Sequence, residues 1–202
     1  MAAPRTNDDV QRLILDAAEH LLTQKSLKEI TLAEIAEDAD VAKGTVYYYY
    51  KNKEDILFAV FDRYLADQWN QLNEWTSNTA KDTRLPRLIK YVLARDTDNT
   101  GLRLHFIFEA ADGNEVLRQK LLARYLKFEK EIAKKIQERT KGIDSDYLSW
   151  LTLMVSDGLI IQKALGNQQL DADKFIAAAE KYIRQIFPDD FAKPADAAKG
   201  HA

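Results

Sequence analysis

Apolar residues recur every three or four positions along most of the chain, which is the pattern of helices that bury one face. No segment shows a convincing strand pattern of alternating apolar and polar residues, and the chain has only seven glycines and four prolines to interrupt helices. The pattern therefore predicts an all-α protein. The predicted helices are Asp9–Gln24, Leu32–Ala39, Lys43–Tyr50, Lys53–Thr76, Leu85–Arg95, Gly101–Ala111, Glu115–Thr140, Asp146–Gly166 and Asp173–Phe187.

Two of these helices are short and follow each other closely. Thr31 and Glu34 have the spacing of a capping box, which marks the start of the first one. Asp40 stands where the chain must turn sharply, and aspartate tolerates left-handed backbone conformations better than most residues. The sequence thus predicts two helices joined by a tight turn.

The second short helix carries side chains that need a role outside the core. Val46 and Tyr50 lie four residues apart and are expected to face inward. A helix of roughly eight residues is about 12 Å long, and a DNA major groove about 12 Å wide admits it. The side chains left outside are small, hydrogen-bonding or aromatic, and suit base edges or phosphates: Lys43, Gly44, Thr45, Tyr47, Tyr48 and Tyr49. Lys51 and Lys53 add positive charge.

The alternative for the four consecutive tyrosines, Tyr47 to Tyr50, is a buried aromatic cluster. Successive helical residues are rotated by about 100°, so one core cannot bury all four. Burial is therefore expected for Tyr50 and not for the other three. An exposed aromatic group of this size indicates a ligand surface.

The segment ITLAEIAEDAD followed by VAKGTVYYYYKNKEDILFAV resembles the DNA-binding signature of the TetR family of transcriptional regulators, over about residues 9–60. Members commonly have a glycine in the turn, a serine before the lysine and a phenylalanine that closes the recognition helix. Here these places hold Asp40, Ala42 and Tyr50, and Ala42 weakens the N-cap of the recognition helix. The resemblance implies contacts to bases from Lys43, Gly44 and Tyr48, and contacts to the DNA backbone from Thr45, Tyr47, Tyr49 and Lys53.

The predicted helix 146–166 is apolar over most of its circumference, which requires burial on several sides. Gly158 in its middle costs about 1 kcal/mol relative to alanine, which fits either a close approach of another helix or a tolerated glycine. With helix 173–187, this segment resembles the two-helix dimer surface of the family and implies a homodimer with a four-helix interface. The expected interface residues are Gly158, Leu159, Ile161, Leu165, Phe175, Ala178 and Tyr182. Twofold symmetry would place two recognition helices about 34–36 Å apart on a pseudo-palindromic operator.

The middle helices hold large apolar side chains and a few polar ones, the composition of a ligand pocket. The candidate effector-binding residues are Trp69, His105, Phe106, Glu109, Tyr125, Trp150, Met154 and Asp157. The open alternative is that the aromatic residues are ordinary core and that His105 is a satisfied histidine. The expected effector is small and largely apolar, and no metal or cofactor is expected, because His20 and His201 have no partners at metal-ligand spacing.

Length and composition limit the number of domains, the possible chemistry and the location of the protein. The 202 residues are enough for one or two domains, predicted as a DNA-binding domain at 1–52, an effector-binding and dimerisation domain at 53–188 and a flexible tail at 189–202. The chain has no cysteine, which excludes disulfides and thiol nucleophiles, and its formal net charge of −3 disfavours nonspecific coating of DNA. It shows no signal peptide and no apolar run of membrane-spanning length, so a cytoplasmic protein without a membrane partner is expected.

The sequence therefore predicts a ligand-responsive, DNA-binding transcriptional regulator, with repression as the default that the resemblance implies. An enzyme is not expected, because the chain has no glycine-rich phosphate loop, no metal cluster and no nucleophile with a plausible base. The alternative function is a helical small-molecule carrier that does not bind DNA.

Overall fold

The computed structural model describes residues 6–95 and 100–186. Within these ranges all regular structure is α-helical, which confirms the predicted fold class. The helices are α1 (Asn7–Gln24), α2 (Leu32–Asp38), α3 (Lys43–Tyr49), α4 (Lys53–Ser77), α5 (Leu85–Arg95), α6 (Thr100–Ala111), α7 (Glu115–Gln137), α8 (Ser145–Ala164) and α9 (Ala172–Ile186). Phe187, His201 and the tail predicted at 189–202 lie outside the described residues.

The chain divides into two compact units, residues 1–69 and 70–202. Helix α4 begins in the first unit and ends in the second. The first unit thus extends beyond residue 52, where the sequence predicted the end of the DNA-binding domain. The division of function at residue 52, between DNA binding and effector binding, stays a prediction.

The first unit is built on short helices with well-defined ends. Thr6 and Thr31 each form a complete capping box, in which the threonine hydroxyl accepts an N–H and the carboxylate three residues later accepts the threonine N–H. Asp40 adopts the left-handed conformation, with φ of 51°, directly after α2. Its N–H donates to the Glu37 carbonyl and the Val41 N–H donates to the Ala36 carbonyl, which is a Schellman arrangement. The tight turn predicted between α2 and α3 is therefore present.

The core of the first unit draws on α1 to α4 and the loop before α2. Its fully buried members are Ile14, Ala18, Ile30, Ile35, Val46, Ile56 and Leu57. Around this core, Arg63 on α4 forms ion pairs with Asp16 and Glu19 on α1, at 2.6 and 2.8 Å. These ion pairs hold α1 against α4.

The second unit packs α5 on α9, and α7 on both α6 and α8. Its fully buried side chains include Leu85, Leu88, Phe106, Ile132 and Ile136. Trp75 stacks on Tyr91 with ring centroids 4.3 Å apart. No helix within the described ranges is both long and apolar enough to cross a membrane.

Candidate nucleic-acid interface

Helix α3 presents one side to the core and the other to solvent. Val46 is fully buried, as expected, whereas Tyr47 and Tyr48 are 50% and 77% exposed. Lys43 and Gly44 in the first turn are also exposed. Because the buried side is fixed by packing, the exposed side has a defined orientation on the first unit, as a surface that recognises a ligand requires.

The exposed side chains of α3 are close to one another. The rings of Tyr48 and Tyr49 meet edge to face with centroids 5.0 Å apart. The ammonium nitrogen of Lys43 lies 5.9 Å from the centroid of the Tyr47 ring. A cation beside exposed phenol groups combines charge, hydrogen-bond donors and flat apolar surface, which are the groups that bind phosphates and base edges.

Two of the predicted DNA-contacting residues also hold the first unit together. The hydroxyl of Tyr49 donates to Asn7 Oδ1 at 2.9 Å, which ties the end of α3 to the start of α1. Lys53 Nζ is half-buried and donates to the Leu27 carbonyl at 2.8 Å. An ammonium group carries three N–H donors, so a phosphate contact by Lys53 stays a prediction beside this structural bond.

Tyr50 follows α3 and is half-buried, in line with the inward position expected for it. Burial raises the pKa of its hydroxyl, and the charge of Arg63 opposes this shift. Thr45 is half-buried as well. The first helical turn has no side-chain cap, because Ala42 occupies the N-cap position. Between Val41 and Lys53 the only charged residues are three lysines, so this stretch of the chain is positive although the net charge of the protein is negative.

The residues predicted to bind the effector differ widely in exposure. Phe106 is fully buried, Glu109 is exposed and Met154 is 64% exposed. His105 and Trp150 are half-buried, and the His105 ring contacts Phe106 at a centroid distance of 5.3 Å. Trp69 is the last residue of the first unit.

Two members of that set do meet, around an arginine that the sequence analysis did not identify. Arg103 on α6 donates to Asp157 Oδ1 on α8 at 2.7 Å, and the Tyr125 hydroxyl on α7 lies 2.9 Å from the same oxygen. Burial raises the pKa of Tyr125, while the positive charge of Arg103 lowers it. The sequence signal for this residue is the one arginine in the largely apolar segment TGLRLHFIF.

Helices α8 and α9 carry an exposed apolar surface. On α8 it consists of Tyr147, Leu151, Met154, Ile161 and Leu165, which recur at helical spacing, and on α9 of Phe175, Tyr182 and Ile186. Gly158 falls in the α8 row, and a Cβ placed there would meet no atom within 4 Å. Among the other residues predicted for the dimer interface, Leu159 is buried in its own unit and Ala178 is half-buried.

A surface cleft of about 410 Å³ lies at the turn between α8 and α9. It is lined by Leu159, Ile160, Gln162, Lys163, Gly166, Asn167, Gln168, Leu170, Asp171 and Ala172. None of the predicted effector-binding residues lines it. In the described ranges no group of three or more His, Cys, Asp or Glu side chains could hold a metal ion.

Comparison with known proteins identifies a family of regulatory proteins for a segment of the first unit. Residues 14–60 match the model of the bacterial regulatory proteins of the tetR family. The "Fatty acid metabolism regulator protein" of Bacillus subtilis is 29% identical over 146 residues, which cover 72% of this chain and 66% of that protein, just under two thirds of its length.

Solved structures share the fold over most of the chain. A transcriptional regulator from Saccharomonospora viridis in complex with choline superposes with a TM-score of 0.68 at 16% identity, covering 91% of this chain and 97% of that one. The regulator FadR from Bacillus subtilis in complex with stearoyl-CoA gives a TM-score of 0.56 at 20% identity, with coverages of 84% and 95%.

The matched family model covers the amino-terminal helix-turn-helix, and the proteins that it describes are regulators of transcription rather than enzymes. Within that class, the matched segment contains the tight turn, the buried Val46 and the exposed tyrosines described above. Residues 14–60 of the chain thus resemble the TetR family of bacterial regulatory proteins.

Proposed function

We propose that the chain is a ligand-responsive transcriptional repressor that binds a pseudo-palindromic DNA operator as a homodimer. The observation that carries this proposal is the exposure of Tyr47 and Tyr48, with Lys43 beside the Tyr47 ring, on a helix whose opposite side is anchored by Val46. DNA contacts are assigned to Lys43, Gly44, Thr45, Tyr47, Tyr48, Tyr49 and Lys53. Its DNA target would place its action in the cytoplasm.

The apolar surface of α8 and α9 supports a homodimer. Leu165 is 73% exposed and Tyr147 is 65% exposed in the single chain, and such a row of large apolar side chains is typical of an interface. A twofold axis through α8 and α9 would give a four-helix contact and two copies of α3. These copies would reach two half-sites about 34–36 Å apart on one face of the duplex.

The second unit is the proposed sensor of a small, largely apolar effector. The structures with choline and with stearoyl-CoA hold ligands of different chemistry, so the fold by itself does not decide the effector class. An effector that prefers the DNA-free conformation by about 1.4 kcal/mol would change the affinity for DNA about tenfold. The predicted contact residues Trp69, His105, Phe106, Glu109, Tyr125, Trp150, Met154 and Asp157 stay a proposal.

Selection of duplexes from a random-sequence pool tests the DNA-binding proposal, because the selection itself identifies the operator. The full chain should enrich one sequence with two inverted half-sites, and footprinting should protect both halves. Failure to enrich any duplex at low salt, while the folded protein still binds apolar ligands, would favour the alternative of a helical carrier.

A further inference from the structure

The hydroxyl proton of Tyr49 is already used inside the first unit. The hydroxyl donates it to Asn7 Oδ1 at 2.9 Å, so its oxygen has only lone pairs left to offer. The phosphate oxygens of DNA are acceptors and need an N–H or O–H donor. While the bond to Asn7 is intact, the Tyr49 hydroxyl therefore has no proton for the backbone contact that the resemblance implies.

Asn7, which accepts that proton, carries a donor group of its own. It is an exposed residue at the start of α1. A side-chain amide has an acceptor oxygen and an NH₂ group, so accepting at Oδ1 leaves two N–H donors at Nδ2. Among the residues that the structure describes, no hydrogen bond from Nδ2 is present. The amide is thus fixed at one end and available for an acceptor at the other.

Asn7 lies at the flank of the recognition helix. At about 100° per residue, Tyr48 falls nearly opposite the buried Val46, and Tyr49 falls between the two. The Tyr49 ring meets the Tyr48 ring with centroids 5.0 Å apart, and Tyr48 is 77% exposed. A helix that enters the major groove has a phosphate backbone on each side, so a donor held at its flank is placed for a phosphate.

We propose that the side-chain amide of Asn7 donates to a backbone phosphate of the DNA, and that Tyr49 is a positioning residue that holds this amide. The inference rests on the proposed DNA-binding function. It transfers one backbone contact from the Tyr49 hydroxyl to Asn7 and extends the DNA-contacting surface from α3 to the start of α1.

Asn7→Asp and Asn7→Ala test the amide, by fluorescence anisotropy with a selected duplex. Aspartate still accepts the bond from Tyr49 but has no N–H, so the link between α1 and α3 is kept and the donor is lost. The affinity of Asn7→Ala should fall about three- to tenfold. Asn7→Asp should lose at least about tenfold, because its charge also repels a phosphate. Wild-type affinity in Asn7→Asp would overturn the proposal.

The matched control is Asn70→Ala, which removes an exposed amide on α4 outside the first unit. It should bind the duplex as the wild-type chain does. A loss in this variant equal to that in Asn7→Ala would show that the effect is not specific to Asn7, and the proposal would fail.

Tyr49→Phe tests the positioning role, because it keeps the ring and removes the hydroxyl. Combined with Asn7→Ala, it should bind no more weakly than Asn7→Ala alone, since both changes act on the same contact. Losses that multiply in the double variant would mean that Tyr49 binds DNA independently of Asn7, and would contradict the proposal.

Duplexes with single neutral methylphosphonates locate the contact. One position in each half-site should weaken binding of the wild-type chain by about threefold or more and leave binding of Asn7→Ala unchanged. If every phosphate that matters to the wild-type chain matters equally to Asn7→Ala, the assigned contact does not exist.

Salt dependence separates a lost contact from a disturbed first unit. Asparagine is neutral, so Asn7→Ala should keep the wild-type slope of log affinity against log salt concentration and the wild-type unfolding midpoint. A shallower slope with a lowered midpoint would show that Asn7 acts through structure alone, against the proposal. A wild-type chain that binds no duplex would refute the proposed function and this inference together. Duplex binding that is indifferent to the Asn7 variants would refute this inference alone.

Discussion

The four consecutive tyrosines do not share one environment. Tyr47 and Tyr48 are 50% and 77% exposed, the Tyr49 hydroxyl is bonded to Asn7 and Tyr50 is half-buried. The rotation of about 100° per helical residue explains why one run of identical side chains divides in this way. Only the first two rings are mostly open to a ligand.

Much of this division could be predicted from the sequence, because the inward side of α3 follows from Val46 and Tyr50 at helical spacing. The bond from Tyr49 to Asn7 could not, since it joins residues 42 positions apart. The same holds for the bond from Lys53 to the Leu27 carbonyl and for the cluster of Arg103, Tyr125 and Asp157. Such contacts depend on how helices pack, which periodicity does not determine.

Asp82 provides a pH test at the residue scale. The hydrogen bond from the Arg84 side chain lowers the pKa of Asp82 from 3.8 to about 2. A lowered carboxyl pKa stabilises the folded chain at pH values above the unfolded value of 3.8, and this contribution is lost as the pH falls toward about 2. Asp82→Asn should therefore show a shallower loss of thermal stability across that acid range.

The control for this test is Asp67→Asn, at an exposed position in the first unit. This variant should follow the wild-type acid profile. Identical profiles for Asp82→Asn and the wild-type protein would show that the pair with Arg84 does not contribute.

At the element scale, the residue after the C-cap of α2 has a backbone conformation that a substitution by glycine should relieve. Asp40 has φ of 51°, a conformation that glycine adopts without steric cost. Asp40→Gly should raise the free energy of unfolding by about 0.5–1 kcal/mol, because the left-handed conformation disfavours residues with a Cβ. Urea unfolding at constant slope measures the change.

Glu37→Gly, at an exposed position within α2, is the matched control. It should lower stability by about 1 kcal/mol, because glycine weakens a helix interior. A loss of stability in Asp40→Gly as large as in Glu37→Gly would contradict the role assigned to the left-handed turn.

Some helix ends could not be predicted from the sequence. Helix α7 was expected to reach Thr140 but ends at Gln137. Directly after it, Arg139 donates to the Thr83 carbonyl at 2.6 Å and to the Lys135 carbonyl at 2.7 Å. The Arg139 N–H itself donates to the Ile136 carbonyl three residues back, which tightens the backbone there, and the two side-chain bonds stabilise this turn. Helix α2, whose capping box was identified in the sequence, begins at Leu32 as predicted, whereas α1 begins at Asn7 rather than at the predicted Asp9.

At the scale of the whole molecule, the apolar surface of α8 and α9 predicts dimerisation. Leu165→Glu places a charge in that surface and should convert the predicted dimer to a monomer, because a buried unpaired carboxylate is strongly unfavourable. Sedimentation velocity at micromolar concentration measures the change. Duplex affinity should fall together with the loss of the dimer.

Val116→Glu is the control, since Val116 is 67% exposed, close to the 73% of Leu165, but lies at the start of α7. It should sediment as the wild-type protein does. A monomeric wild-type protein, or a dimer that survives Leu165→Glu, would be evidence against the four-helix interface.

DNA binding through α3 is tested most directly by fluorescence anisotropy of a labelled, selected duplex, titrated with the wild-type chain and with Tyr47→Ala combined with Tyr48→Ala. Both rings are mostly exposed, so the double variant should keep the wild-type unfolding midpoint. Its affinity for the duplex should fall by at least about tenfold, whereas Phe108→Ala, at a position 68% exposed on α6, should bind as the wild-type chain does. Unchanged affinity of the double variant for every selected duplex would contradict the account.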